Sequence, residues 1–132
     1  MIKTMLASTM AFVSTTSTAW TQRPNLPIES CSIHSPHGFA TSDKQGESLC
    51  RQGYLSVYDS AAKIPMYVAY TLTPEHALGC VPRSNAFSVD KNAVNSATPE
   101  DYSGTGYDRG HNAPDGDMSW DTQVEYESFF DD

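Results

Sequence analysis

Positive charge is scarce in this chain of 132 residues: eight Lys and Arg stand against sixteen Asp and Glu, a formal net charge of −8. Phosphate backbones are gripped by basic surfaces, so coating or storing nucleic acid is disfavoured as the main role. A hydrolase is less affected, because it needs only a local cationic site and must release its product. Long apolar runs are also missing, and no segment is suited to span a bilayer. There is no internal repeat and no low-complexity tract, and the length leaves room for one small domain. Cysteine is rare and odd in number: Cys31, Cys50 and Cys80. Cys31 with Cys50 is the preferred pair, stapling an N-terminal arm to the first strand. Cys80 then stays free, pairs outside this chain, or is simply a small buried residue.

The first nineteen residues read as an address. Met1-Ile2-Lys3 is a short positive start, Met5 to Val13 is mildly apolar, and Ser17-Thr18-Ala19 offers small residues for cleavage. The expectation is a signal peptide over 1–19 and an exported protein, periplasmic or extracellular. Residues 20–48, with Pro24, Pro27 and Pro36, predict an irregular arm, and the folded domain is expected over 49–132. Leu49 to Tyr58 and Met66 to Leu72 have strand composition, and Asp59 to Lys63 is a turn between them, so a hairpin is predicted. Pro65 at the mouth of the second strand is a tolerated position. Residues 73–106 carry Pro74, Pro82, Pro99, Gly79, Gly104 and Gly106 and predict a long connection, followed by a short strand near Tyr107. From Ser119 the pattern turns helical, with Ser119 or Asp121 as cap and Trp120, Val124 and Phe130 as apolar stripe. No stop signal precedes Asp132, so the helix is expected to be still running there and the chain to be the front part of a longer domain. The fold class is α+β with an antiparallel sheet.

Chemistry concentrates between Gly106 and Asp121, which hold Arg109, His111 and the carboxylates Asp108, Asp115, Asp117 and Asp121. On an extended segment, residues two apart face the same side. His111 could take a proton from water while Arg109 holds a phosphate oxygen, and carboxylates could hold a hard cation. The same residues also describe a salt-bridged surface loop, the commoner case. An EF-hand is excluded: with Asp115 as position one, the sixth position is Trp120 instead of Gly and the twelfth is Tyr126 instead of Glu. Cys31, His34 and His37 have spacings that could grip a soft metal, but no fourth ligand is evident. His76 reads as a surface or loop-packing residue. Tyr54, Tyr58, Tyr67 and Tyr70 are most simply core.

The run Tyr107-Asp108-Arg109-Gly110-His111-Asn112-Ala113-Pro114 resembles the Asp-Arg-Gly-His signature of the DNA/RNA non-specific endonucleases, the ββα-metal nucleases of the Serratia type. Val68 to Leu72 is similar to the family's strand before the motif. Pro82-Arg83-Ser84-Asn85 with Phe87 and Asp90 is similar to its arginine loop, and Asp117-Met118 with Trp120 fits the stretch after the motif. The resemblance implies that His111 is the general base, that Arg109 and Arg83 contact phosphate, and that Asp108 and Gly110 support the motif. It implies a Mg²⁺ ion, or another divalent cation, held mainly by an asparagine on a later helix. No residue here matches that asparagine, so the metal ligand is unknown and expected beyond Asp132. DNA and RNA are the expected substrates, with little sequence preference and no membrane partner. The alternative is an inactive, truncated relative that acts as a secreted binding protein.

Overall fold

The computed structural model describes residues 21–40 and 42–130, so the expected signal peptide over 1–19 lies outside the described residues. Three strands, β1 (Glu47–Cys50), β2 (Leu55–Asp59) and β3 (Ile64–Ala69), form an antiparallel sheet in the order β1-β2-β3. With helices around it, this is the expected α+β class. β2 is central, and Leu55, Ser56, Val57 and Tyr58 are all buried, so the strand shows no inside-outside alternation.

The predicted turn from Asp59 to Lys63 is present. The Asp59 carboxylate accepts the N–H groups of Ala61 and Ala62, each at 3.0 Å, and Lys63 closes the turn at a φ of 57°. A register shift between Val57 and Tyr58 sets Pro65 opposite Tyr58 on the edge strand. The predicted first strand over Leu49–Tyr58 is corrected: it divides into β1 and β2. The break lies at Gln52-Gly53, where the Arg51 N–H donates to the Tyr54 carbonyl at 2.9 Å. Gly53 faces α4 (Thr122–Glu127) so closely that a Cβ would stand 2.4 Å from Val124.

Within the expected arm, Ile28–His34 forms a 3₁₀ helix. Cys31 on that helix is disulfide-bonded to Cys50 at the end of β1, and both pack with Leu55 and Val57. Cys80 is a free thiol and exposed, which corrects its reading as a small buried residue. The soft-metal reading of Cys31 is corrected too, since its sulfur is committed to the disulfide.

The long connection contains two single helical turns, α1 (Pro74–Ala77) and α2 (Pro99–Tyr102), each begun by proline after a threonine cap. The strand expected near Tyr107 does not form. Gly104 and Gly106 adopt φ values of 74° and 82°, which bend the chain away from an extended course, and Tyr107 is 79% exposed. Past the motif come α3 (Asp115–Met118) and α4, the latter capped by Asp121, whose carboxylate accepts the Gln123 and Val124 N–H groups. The expectation of a helix still running at Asp132 is corrected. α4 ends at Glu127, Ser128 Oγ folds back onto the Glu125 carbonyl at 2.7 Å, and Phe130 bridges to Ser88.

A second core joins sheet and motif. Tyr54, Ala113, Met118 and Val124 are buried together, with Val68, Tyr70 and Trp120 against them. Tyr54 and Tyr58 are core as expected, whereas Tyr67 and Tyr70 are half-buried. A buried Arg51–Asp90 ion pair ties the β1–β2 turn to the long connection.

Candidate active site

Three chain segments meet at the site: the connection around Arg83, the motif around His111, and α4 with the two residues after it. The connection is held against the other two by backbone contacts. Gly79 approaches Ser119 so closely that a Cβ would meet its carbonyl at 2.5 Å, and Val81 donates its N–H to the same carbonyl at 2.9 Å. His76 stacks on Trp120 with ring centroids 4.1 Å apart, so it packs a loop. Farther on, Ser88 donates to the Phe129 carbonyl at 3.1 Å.

His111 is half-buried between two phenyl rings, with centroids 5.0 Å from Phe87 and 4.3 Å from Phe129. Its Nδ1 lies 2.9 Å from the Ser128 carbonyl oxygen. A carbonyl can only accept, so Nδ1 carries the proton and Nε2 holds the lone pair. Nε2 is buried and has no hydrogen-bond partner among the described residues. Burial holds the imidazole below its ordinary pKa of 6.5, and the Arg83 charge adds to that, against the opposing pull of the Ser128 hydrogen bond and Asp115. The ring is therefore neutral near pH 7 and has the tautomer of a proton acceptor at Nε2.

Arg109 is exposed and lies over the Phe87 ring, its guanidinium carbon 5.1 Å from the centroid. Arg109 and His111 thus share one aromatic support. Arg83 rests on Phe129 at 4.8 Å, donates from Nε to the Asn85 side chain at 2.7 Å, and pairs with Asp115 at 3.3 Å. Asp108 and Gly110 are exposed. The positions singled out from sequence as catalytic are therefore neighbours here, brought together by Phe87 and Phe129.

Several participants escaped sequence reading. Glu125 is an acid in the first turn of α4, yet it is 1% exposed and takes the Ser84 N–H on its carboxylate at 2.6 Å. It also meets Asp115, and burial, followed by that contact, raises its pKa against the Ser84 bond. The Ser128 carbonyl and the Phe129 ring could not be found from residue type. A backbone carbonyl leaves no compositional signal.

Residues 32–130 match the family profile of the DNA/RNA non-specific endonucleases. The chain belongs to that family. It is similar to the mitochondrial nuclease of Saccharomyces cerevisiae, 31% identical over 122 residues that cover 83% of this chain and 36% of the yeast protein. The mitochondrial nuclease EXOG of Xenopus laevis is 38% identical over 76 residues, covering 55% of this chain and 21% of that protein. The mitochondrial nuclease 1 of Schizosaccharomyces pombe is 35% identical over 82 residues, 59% of this chain and 26% of that one. The chain thus spans between about a fifth and about a third of these relatives' lengths.

These names correct the expected location. These relatives are named mitochondrial, which points away from a periplasmic or extracellular site. Residues 1–19 contain no acid and many Ser and Thr, a composition that mitochondrial transit peptides favour, whereas the export expectation rested on the basic start, the apolar stretch and the small residues before Trp20.

The family is one of metal-dependent nucleases. Among the described residues no three His, Cys, Asp or Glu side chains gather as ion ligands. Asp115 and Glu125, the carboxyls of this cluster, are engaged by Arg83, by the Ser84 N–H and by each other. They do not fit a divalent cation.

Proposed function

We propose that this protein acts as an endonuclease that hydrolyses phosphodiester bonds of DNA and RNA with little sequence preference. The observation that carries the reading is the fixed His111 ring. Nδ1 is occupied by the Ser128 carbonyl and Nε2 is free to accept a proton. In the proposed step Nε2 takes a proton from water as the water oxygen bonds to phosphorus. The bond from phosphorus to the leaving oxygen breaks, and that oxygen takes a proton from solvent. Arg83 and Arg109 contact the phosphate oxygens and offset the charge that develops there. The shared Phe87 and Phe129 supports favour this assignment, because they keep both cations beside the base. Asp108 and Gly110 support the motif.

The fold reading goes with it: β2, β3, the motif and α4 form the ββα-metal element, with Ala113 and Val124 packed on Tyr54. Mg²⁺ is the proposed ion, held by ligands outside the described residues. The mitochondrion is the compartment that the relatives' names support.

The test uses the full chain with plasmid DNA and RNA in the presence of Mg²⁺. Cleavage that a chelator stops and that His111→Ala removes supports the reading. Intact substrates, or a His111→Ala variant as fast as wild type, refute it. One observation favours a second reading, a relative that binds nucleic acid without cutting: no group of ion ligands forms among the described residues. Chelator-sensitive cleavage by this chain eliminates it.

A further inference from the structure

Burying an acidic side chain is costly unless it is paired, and Glu125, at 1% exposure, is buried without a lysine or arginine in contact among the described residues. Its environment instead consists of one backbone donor and another acid. The Ser84 N–H, next to Arg83, points at Oε1 from 2.6 Å. Asp115, on α3, makes the other contact. Asp115 Oδ1 is buried and finds no donor in the surrounding protein, while its Oδ2 pairs with Arg83 at 3.3 Å. Two carboxylates cannot bond to each other, so a proton shared between Glu125 and Asp115 satisfies both contacts.

We propose that Glu125 is a positioning residue for Arg83, gripping the Arg83 loop through the Ser84 N–H and the Arg83 guanidinium through Asp115. The inference rests on the nuclease reading only for its catalytic meaning; the grip itself is a statement about Arg83. Three points of attachment fix the guanidinium: the Asp115 carboxylate, the Asn85 side chain and the Phe129 ring. Glu125 anchors the first of these to α4 and secures the backbone from which Arg83 projects.

The arrangement depends on the shared proton. Burial raises the Glu125 pKa, so Glu125 holds its proton at pH values where an exposed glutamate has lost it. Once the proton leaves, two adjacent negative charges repel and Asp115 is pushed from its place. The charged and titratable groups that face the pair are Arg83 from the connection and His111 from the motif, with the Ser84 N–H as a neutral donor. Glu125→Gln replaces the shared proton by a permanent amide donor toward Asp115 and keeps an oxygen for Ser84. Glu125→Ala removes both contacts.

The experiment follows the Arg83 Nε–H signal by ¹⁵N NMR in the full chain, assigned by its loss in Arg83→Lys. In wild type the signal is displaced from the free arginine position and moves as Glu125 titrates. Glu125→Gln is expected to keep it displaced and to abolish the pH-dependent movement. Glu125→Ala is expected to move it away from the wild-type position, while the Asn85 hydrogen bond keeps it short of the free one. A Glu125→Ala signal at the wild-type position overturns the proposal. So does a Glu125→Gln signal that titrates like wild type, and this second variant decides the matter if the alanine variant does not fold. Cleavage assays on the same samples separate the two ideas. A wild type without nuclease activity refutes the nuclease reading, while the Arg83 signal still decides whether Glu125 positions it. Where cleavage is present, Glu125→Ala is expected to lower kcat about tenfold and to leave the His111 limb of the pH profile in place, as misplacement of a charge-offsetting group does.

Discussion

Nδ1 of His111 and the backbone oxygen of Ser128 are 2.9 Å apart, and this one contact determines which nitrogen of the ring can act as a base. Because the acceptor is main chain, no substitution of the Ser128 side chain removes it. Its effect is tautomeric, and pH is the direct probe. Burial lowers the His111 pKa, and only the neutral ring accepts a proton. The rate is therefore expected to fall on acidification with an inflection below 6.5, the ordinary histidine value. A kcat/KM profile from acid to neutral pH measures it. An inflection above 6.5 would refute the lowered pKa, and a profile without an acid limb would remove His111 as the base.

Phe87 supports both the imidazole and the Arg109 guanidinium. Phe87→Ala is expected to lower kcat on the order of 100-fold, the cost of displacing reacting groups by about an ångström. Phe87→Tyr preserves the ring face and is expected to remain within about tenfold of wild type. Steady-state kinetics on both variants test this. Equal losses would show that the ring is not the support.

Removing Asp90 takes the ion-pair carboxylate from the buried Arg51 guanidinium. Asp90→Ala is expected to destabilise the fold by about 3 kcal/mol. A urea titration measures the loss. A change below about 0.5 kcal/mol, the range of ordinary surface substitutions, would show that the pair contributes little.

The fold was legible where local chemistry decides it. Asp59 to Lys63 announced a turn because an aspartate can cap the N–H groups that follow it, and Asp121 announced a helix start in the same way. The Arg51–Tyr54 break was missed because Leu49 to Tyr58 has strand composition throughout. What forces the turn is Gly53 against Val124, a contact between distant parts of the chain. The end of α4 was missed for a related reason. Phe129 and Phe130 fit a helical stripe, but the Ser88 bridge draws Phe130 elsewhere. At the site, Arg83, Arg109 and His111 were legible through the motif and its flanks. Glu125 was not, since an acid in a first helical turn is ordinarily a solvated, dipole-favoured residue.

Glu127 is 3% exposed, with Oε2 buried and unpartnered, and burial raises its pKa despite the Gln123 hydrogen bond and the charges of Arg51 and Arg23. A raised carboxyl pKa contributes stability that is fully present below the unfolded value and is lost as pH rises through the folded one. Glu127→Gln lacks that loss. It is expected to match wild type in acid and to exceed it at neutral pH by about 1 kcal/mol, a typical desolvation penalty. Thermal melts at the two pH values check it. A gain that is equal at both would refute the ionisation as its cause.

The residues from Ser103 to Gly110 are all exposed, and they link the part of the chain that bears Arg83 to the part that bears His111. Arg83's loop reaches Glu125 across a separation of 41 residues, whereas His111 reaches Ser128 across 17. The longer closure carries the greater entropy cost. A single cut in the 103–110 stretch should yield two pieces that remain clasped, one supplying the cation and the other the base.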